Sequence, residues 1–232
     1  MQIRDATISD IPHLAALFVT AFREDPDYDT AYPWRIAAPD DYARLVTAEV
    51  TQLFLKGQGR FLVVETEQRQ VVAWACWTRK GSSAAAERIR AENDSVLKVV
   101  ERTLYGLQEA VYYPFIQMFS LQPSVRDEGP LLKRFFEVYG RLAAKLYVGD
   151  LAEHWLLQKL CVDPGWRRQG IATILLNWGL DRAREEGVAI TLNATRAGLA
   201  MYFKAGFVQV ATCEVSMLDI QVPVMVWRPE GV

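Results

Sequence analysis

The segment from Leu156 to Thr173 constrains the fold more than any other part of the chain. Its apolar run ends at Val162 and predicts a buried strand, a Pro-Gly pair predicts a turn, and a helix is predicted to begin near Gln169. Amides at a helix N-terminus have no intrahelical partner, so they and the positive end of the helix dipole can converge on one anion. Gly170 carries no side chain and lets an anion approach the backbone closely.

A second cluster downstream makes this interpretation more specific. A strand-turn-helix corner with small residues for packing would give the first pattern too, and a glycine loop alone is weak support for a ligand site. Arg167 and Arg168 add positive charge beside the predicted helix start. Further along, Tyr202 lies on a predicted short helix just before a Gly-Phe pair that begins a strand. The two clusters together favour a site over a simple corner.

The two clusters resemble the GCN5-related N-acetyltransferase (GNAT) family. The family's acetyl-CoA motif, V-x-P-x-x-R/Q-x-x-G-x-G/A, is matched by Val162, Pro164, Arg167, Gly170 and Ala172. Its later motif, Y-x-K-x-G-F, is matched by Tyr202, Lys204, Gly206 and Phe207. The resemblance implies an α+β GNAT fold, in which a mixed, mostly antiparallel central sheet of about seven strands is splayed at the acetyl-CoA site and flanked by helices.

The pattern of the remaining chain agrees with the order of elements in that family. We expect one domain over residues 1–232, with a helical insertion at 82–148 before the strand at the acetyl site. Residues 25–39 are expected to form an ordered loop. Strands are predicted at 2–6, 60–66, 71–79, 154–162, 188–193, 207–216 and 222–227, and helices from Ser9 to about Glu24 and at 40–55, 169–186 and 198–204.

The resemblance also implies which residues contact acetyl-CoA. Backbone groups of Leu160, Cys161 and Val162 would pair with the pantetheine arm and the acetyl carbonyl, and amides from Arg168 to Thr173 would hold the pyrophosphate. Thr195 stands where many members of the family carry asparagine. The implied cofactor-binding residues are Leu160, Cys161, Val162, Arg167, Arg168, Gln169, Gly170, Ala172, Thr173 and Thr195.

The resemblance implies one catalytic side chain and leaves the general base open. Tyr202 matches the tyrosine that protonates the departing CoA thiolate in many members, although a tyrosine here could also be a core aromatic residue. Some members place a glutamate or histidine on the strand before the acetyl site, but the matching positions are Leu156 and Gln158. His154 could relay a proton or be structural. Other proton acceptors or solvated carboxylates are Asp25, Asp27 and Glu65.

Cys161 invites the hypothesis of a covalent acyl-enzyme. No histidine or cationic residue in the sequence is placed to activate its thiol, so we interpret Cys161 as a small apolar residue of the strand.

The acceptor is predicted to be a small amine. Tyr28 and Trp77, together with His154 and Gln158, are candidate acceptor-site residues, although aromatic residues are more often part of a core. The insertion could form a wall over the acceptor. Histone acceptors usually need an acidic groove, and no acidic run appears. The alternatives are a protein amine as acceptor, a non-catalytic acetyl-CoA sensor, and a helical interaction protein.

Composition limits the remaining classes of partner. The net charge is -2 with no clustered basic stripe, which argues against nucleic acid as a partner. Residues 1–10 do not read as a secretory signal and no apolar run reaches about 18 residues, so no membrane partner is expected. Three scattered cysteines and only two histidines indicate a reducing compartment, taken as cytoplasmic, and no metal. A monomer or homodimer is expected.

Overall fold

One mixed sheet organises the part of the chain that the computed structural model describes, which is residues 1–55, 57, 59–92, 100, 103–104, 137–138, 140–215 and 220–230. Its strands lie in the order β1-β2-β3-β4-β5-β7-β6. All neighbouring pairs are antiparallel except β4 and β5, which are parallel. The strands are β1 (Gln2–Asp5), β2 (Gly59–Glu65), β3 (Val71–Lys80), β4 (His154–Val162), β5 (Ala189–Asn193), β6 (Val208–Val215) and β7 (Ile220–Trp227). The predicted α+β fold with a mostly antiparallel sheet is confirmed.

The described helices flank this sheet, and four of them agree with individually predicted helices to within a few residues. Two of them, α1 and α3, pack against each other. The helices are α1 (Ile11–Ala21), α2 (Pro26–Ala31), α3 (Pro39–Leu55), α4 (Ala84–Glu92), α5 (Ile171–Glu186) and α6 (Leu199–Lys204).

Helix α2 lies inside residues 25–39, which the sequence predicted to be a loop. The Asp25 side chain caps this helix by accepting a hydrogen bond of 3.0 Å from the amide of Asp27, and Pro26 occupies the first helical position. An aspartate followed by proline is a recognised helix start, because the cap satisfies an unpaired amide and proline has none to satisfy. The capping signal was present in the sequence, but the short helix has no apolar periodicity that would have revealed it.

Strand β3 divides two hydrophobic cores because its side chains alternate between them. Trp74 and Cys76 belong to the core beneath α1 and α3, and the indole of Trp74 donates a hydrogen bond of 3.1 Å to the Leu14 carbonyl. Ala75 and Trp77 belong to the core beneath α5. The sheet is therefore covered on both faces at its centre, which explains why β3 is a continuous apolar run.

The two ends of the predicted insertion meet at one corner of the sheet. The Glu153 carboxylate, just before β4, accepts hydrogen bonds from the amides of Ser82 and Ser83 at 2.7 and 2.9 Å. The buried guanidinium of Arg79 pairs with Glu153 at 2.9 Å and with Glu186 at 2.8 Å. Within 82–148, α4 and residues 140–146 are helical, whereas 93–99, 101–102, 105–136 and 139 lie outside the described residues. A single domain with this insertion stays a prediction.

We predict that Gly179→Val destabilises the protein, because Gly179 of α5 lies directly on the Trp77 ring. A Cβ atom at position 179 would stand 2.3 Å from Trp77, whose side chain is fully buried and has no room to move. Overpacking of this kind costs about 1–3 kcal/mol. Chemical denaturation should show this loss relative to Asn177→Val, which introduces the same side chain on the exposed face of the same helix. Equal free energies of unfolding would contradict the packing argument.

Candidate active site

A gap opens between β4 and β5 because their parallel pairing is short. The pairing runs from His154 with Ala189 to Leu157 with Leu192. Strand β4 continues to Val162, but β5 ends at Asn193 and offers no partner to residues 158–162. One edge of this part of β4 is therefore free of strand pairing among the described residues, while its other edge stays paired with β3.

A β-bulge lies at the narrow end of this gap. Cys76 and Trp77 of β3 face Lys159 and Leu157 of β4, so Gln158 is an extra residue without a partner in the ladder. Its side-chain amide donates a hydrogen bond of 2.8 Å to the Thr78 hydroxyl. Bulges bend a strand locally and re-aim its backbone groups. The strand therefore changes direction where it separates from β5.

The loop after β4 brings backbone amides to the wide end of the gap. The Asp163 carboxylate accepts a hydrogen bond of 2.8 Å from the Gly165 amide and so holds the turn. Arg168 and Gly170 both adopt positive φ, at 65° and 80°. Gly170 is the N-cap of α5 and provides no capping side chain, which leaves the first amides of that helix without an intrahelical acceptor. A Cβ atom on Gly170 would meet no atom within 4 Å, so the space there is open.

Two tyrosines approach Cys161 from different elements. Tyr202 of α6 is buried and packs edge-on against Phe207 at 5.6 Å between ring centroids. Burial, and then the Cys161 thiol, raises the pKa of Tyr202. The same two causes, in the same order, raise the pKa of Tyr28 on α2. Both phenols are therefore protonated at neutral pH and within electrostatic range of one residue on the free part of β4.

Cys161 itself has the properties of a core residue. Its side chain is 1% exposed. Burial raises the pKa of its thiol far above the usual range, although nearby Lys159 opposes the effect. A thiol in this state is not ionised at neutral pH and is a poor nucleophile, which argues against a covalent acyl-enzyme.

Arg35 organises the segment between α1 and α3, and sequence reasoning missed it. The side chain is 3% exposed, and its guanidinium donates to the carbonyls of Phe22, Arg23 and Asp25 at 2.6, 2.8 and 3.2 Å. Its Nε also donates to the Asp29 carboxylate at 2.8 Å. No local motif distinguishes this arginine from a surface arginine, because its partners are backbone carbonyls and one helix carboxylate that become neighbours only after folding.

Two arginines connect this segment to the other side of the gap. The Arg167 guanidinium donates a hydrogen bond of 2.6 Å to the Ala21 carbonyl at the end of α1. Arg196, in the loop after β5, lies 3.8 Å from the Asp27 carboxylate. The loop after β4 therefore contacts the end of α1, and the loop after β5 approaches the segment from Phe22 to Arg35 that follows it.

The other predicted acceptor residues lie apart from one another, and Thr195 of the predicted cofactor set lies beyond β5. Trp77 is fully buried under α5 and has no surface left for a ligand. His154 is buried at the start of β4, where its Nδ1 lies 2.7 Å from the Leu151 carbonyl and burial lowers its pKa to about 4. It is about 13 Å along the strand from Gln158. Thr195 is half-buried between β5 and α6, and its carbonyl accepts from the Gly198 amide at 3.0 Å.

The described part of the chain contains no group of three His, Cys, Asp or Glu side chains that could hold a metal ion. The described helices include none with the length and apolar character needed to cross a bilayer.

Comparisons with known proteins agree with this geometry. The family model described as an acetyltransferase (GNAT) domain matches residues 134–209. Probable acyltransferase SID5 of Ajellomyces capsulatus is 37% identical over 72 residues, which are 28% of this chain and 53% of that protein. The chain thus spans about half the length of this curated relative.

Solved structures show the same fold. The histone acetyltransferase HPA2 and related acetyltransferase from Corynebacterium glutamicum has a TM-score of 0.61 at 19% identity, over 100% of this chain and 97% of that one. A GNAT-family protein from Desulfovibrio desulfuricans has a TM-score of 0.51 at 10% identity, over 98% of each chain. Fold and site define the chain as an α+β protein with a splayed sheet. Residues 134–209 match the GNAT acetyltransferase domain, in agreement with the resemblance that the two motifs carry, and solved GNAT structures share the fold.

We predict that Arg35→Gln loosens the segment from Phe22 to Arg35. The change leaves buried carbonyls without a donor, and each such group costs about 1–3 kcal/mol. Denaturation should show a lower free energy of unfolding, and amide hydrogen exchange should be faster between Phe22 and Asp29. Arg23→Gln is the control, since that side chain is exposed in the same segment. Unchanged exchange in the Arg35 variant would show that the segment is held by other contacts.

Proposed function

We propose that the protein transfers an acetyl group from acetyl-CoA directly to the amine of a small molecule. One observation carries the proposal: a free strand edge at Gln158–Val162 leads to the uncapped start of α5, with a buried tyrosine beside it. GNAT proteins use acetyl-CoA as the donor, and the family match includes this region. The described residues fit that molecule because they offer an open backbone edge and an open anion site.

Donor binding would use backbone groups for most of its contacts. Amides from Arg168 to Thr173 would bind the pyrophosphate, because positive φ at Gly170 and the dipole of α5 favour an anion there. Backbone groups of Leu160 to Val162 would pair with the pantetheine arm along the free edge of β4. The Arg167 guanidinium, now on the Ala21 carbonyl, is exposed and could contribute charge. Thr195, whose carbonyl accepts a hydrogen bond from the Gly198 amide just before α6, would border the same channel.

Catalysis would rest on positioning and on hydrogen bonding. Holding an amine beside a thioester removes much of the entropic barrier, and fixed backbone amides near the Gln158 bulge could polarise the carbonyl. Tyr202 would donate a hydrogen bond to the sulfur as negative charge develops there. Its raised pKa keeps the phenol protonated but also makes complete proton transfer to a thiolate unfavourable. The proton that finally reaches the thiol would therefore come from the acceptor amine, through Tyr202 or water.

The acceptor side supports a small molecule over a protein tail. The segment from Phe22 to Arg35 is folded tightly by the Arg35 guanidinium and borders the gap. Phe22 and Tyr28 stack there at 4.6 Å between ring centroids. A closed, aromatic border suits a compact acceptor. The three cysteines are buried free thiols, which supports action in a reducing compartment such as the cytoplasm.

The first test is whether acetyl-CoA stabilises the protein. A ligand at 100 times its dissociation constant adds about 2.7 kcal/mol, which should raise the melting temperature by roughly 5–10 °C. A thiol-release screen over small amines and lysine peptides then separates the alternatives. Release with small amines supports the proposal, release only with peptides favours a protein acceptor, and stabilisation without release favours a sensor. No stabilisation by acetyl-CoA or CoA would contradict the proposal.

We predict that Gly170→Ala weakens acetyl-CoA binding, with Gly187→Ala as a matched control. Both glycines flank α5 with positive φ, at 80° and 67°, and a Cβ atom on either meets nothing within 4 Å. Both changes should therefore cost similar stability. Only the Cβ at position 170 projects beside the amides of the anion site, so only that variant should lose roughly tenfold in affinity, about one hydrogen bond to a charged group. Calorimetry gives the affinities, and equal values would remove α5 from the donor site.

We predict that Tyr202→Phe lowers turnover by about 100-fold while leaving acetyl-CoA affinity nearly unchanged. The ring and its packing on Phe207 are kept, and only the donor to the sulfur is lost. Tyr147→Phe is the control, because Tyr147 lies beside His154 at the opposite end of β4. Steady-state rates and calorimetric affinities measure the two effects. Unchanged turnover in the Tyr202 variant would remove this residue from the chemistry.

A further inference from the structure

We propose that Asp27 is the carboxylate that binds the ammonium group of the acceptor and accepts its proton. The proposal rests on the function proposed above and names its substrate class: a primary amine that is cationic in solution and carries an aromatic or apolar body.

The structure distinguishes Asp27 from the two other carboxylates that sequence reasoning considered. The Asp25 side chain is used as the cap of α2, where it accepts the Asp27 amide at 3.0 Å. Glu65 lies on β2 and accepts a hydrogen bond of 2.8 Å from Arg4 on β1. These two strands are separated from the gap by β3 and β4. Within the described ranges, the one opposite charge near Asp27 is Arg196, at 3.8 Å, which is beyond hydrogen-bonding distance. Its oxygens therefore remain able to accept hydrogen bonds from a ligand.

Two residues locate Asp27 relative to the gap: Tyr28, next in the chain, and Arg196, near it in space. Tyr28, the next residue, is within electrostatic range of Cys161 on the free part of β4. Arg196 follows β5 and precedes the helix that carries Tyr202. Asp27 thus lies on the segment from Phe22 to Arg35 and approaches the loop after β5, so an amine bound to it would stand beside the gap.

The surroundings of Asp27 also favour a cation. Phe22 and Phe18 lie 4.6 and 5.5 Å from the Tyr28 ring, which makes an aromatic border beside the carboxylate. The faces of aromatic rings attract ammonium groups. The Phe18 ring already contacts the Lys159 ammonium at 4.8 Å, so the rings of Phe22 and Tyr28 would contact the ligand. A carboxylate next to such a surface can bind both the charge and the body of an aryl-alkyl ammonium ion.

The surroundings of Asp27 change its pKa in the direction that favours proton transfer from an amine. Burial, and then the negative charge of Asp25, raises the pKa of Asp27, while Arg196 lowers it. From the elements packed nearby, α3 contributes Glu49 beside Tyr32, and β4 contributes Lys159. A carboxylate with a raised pKa is a stronger base. The difference between its pKa and that of an ammonium group is therefore smaller, which favours proton transfer.

The proposed step balances in protons and bonds. Asp27 takes one proton from the bound ammonium, and the neutral nitrogen then forms the bond to the acetyl carbon while the carbon–sulfur bond breaks. The nitrogen gives up a second proton, which ends on the departing sulfur through Tyr202 or water. The proton on Asp27 is released to solvent, so the products are the acetylated amine, CoA thiol and one proton.

The test uses 2-phenylethylamine as the probe, with acetyl-CoA, in the wild type and in Asp27→Asn, Arg196→Gln and Glu24→Gln. Thermal shift with acetyl-CoA is measured for each. Rates of thiol release give kcat and KM for the amine between pH 5.5 and 9. Glu24→Gln is the matched control, because it removes one exposed carboxylate from the same segment.

We expect Asp27→Asn to lower kcat/KM for the amine by about 100-fold, with KM raised at least tenfold, and to keep the acetyl-CoA shift. In the wild type, activity should fall on the acidic side as Asp27 becomes protonated, and Asp27→Asn should lack this fall. Since Arg196 lowers the pKa of Asp27, Arg196→Gln should move the acidic fall to higher pH. Glu24→Gln should match the wild type.

Each other outcome contradicts one part of the proposals: the function, the substrate class or the role of Asp27. If acetyl-CoA does not stabilise the wild type, the proposed function fails and this inference fails with it. If acetyl-CoA stabilises the wild type but 2-phenylethylamine is not acetylated, the substrate class is wrong while the donor site stands. If the amine is acetylated and Asp27→Asn keeps the wild-type KM and pH profile, Asp27 has no role in binding or deprotonating the acceptor.

Discussion

The site depends on how early the parallel pairing of β4 and β5 ends. Only the pairs from His154 and Ala189 to Leu157 and Leu192 hold these strands together, and beyond them β4 has one free edge. Backbone amides and carbonyls need partners wherever water is excluded, so this edge must be satisfied by water or by a ligand. An extended ligand that carries amide groups can pair with the edge as another strand would. The start of α5 stands at the end of that edge and offers amides to an anion.

The proposed acceptor side is formed by the segment after α1. Arg35 binds the carbonyls of that segment and fixes its shape. Arg167 contacts Ala21 at the end of α1, and Arg196 approaches Asp27, so both loops of the proposed donor site reach this part of the chain. Reaction rates are sensitive to displacements of about 1 Å between reacting groups. A buried arginine far from the chemistry can therefore affect the rate by holding the border of the acceptor site.

Sequence patterns predicted the secondary structure around the proposed donor site better than the contacts around the proposed acceptor site, for physical reasons. Strand β4 was predicted with the bounds that the structure has, and the Gly170 loop with the helix after it, because periodicity and turn residues are local signals. The contacts of Arg35 and Arg196 join residues that no local pattern connects; the Arg167 contact alone spans 146 positions. The bulge at Gln158 was also missed, since it depends on the register with β3. Trp77 was considered for the acceptor pocket because it is aromatic, but it packs in the core.

The proposed donor and acceptor sides also differ in the kind of residues that they require. Most donor contacts would be made by backbone groups, which need small residues and a permitted φ but few particular side chains. Such contacts are compatible with a fold that is kept over the whole chain at 19% identity. Acceptor recognition would instead need side chains with particular charge and shape, and on our proposal these lie on the segment after α1. A change of acceptor would then require substitutions in that segment, with the sheet and the α5 loop left intact. On the same proposal, Asp27 supplies the charge that selects a cationic amine.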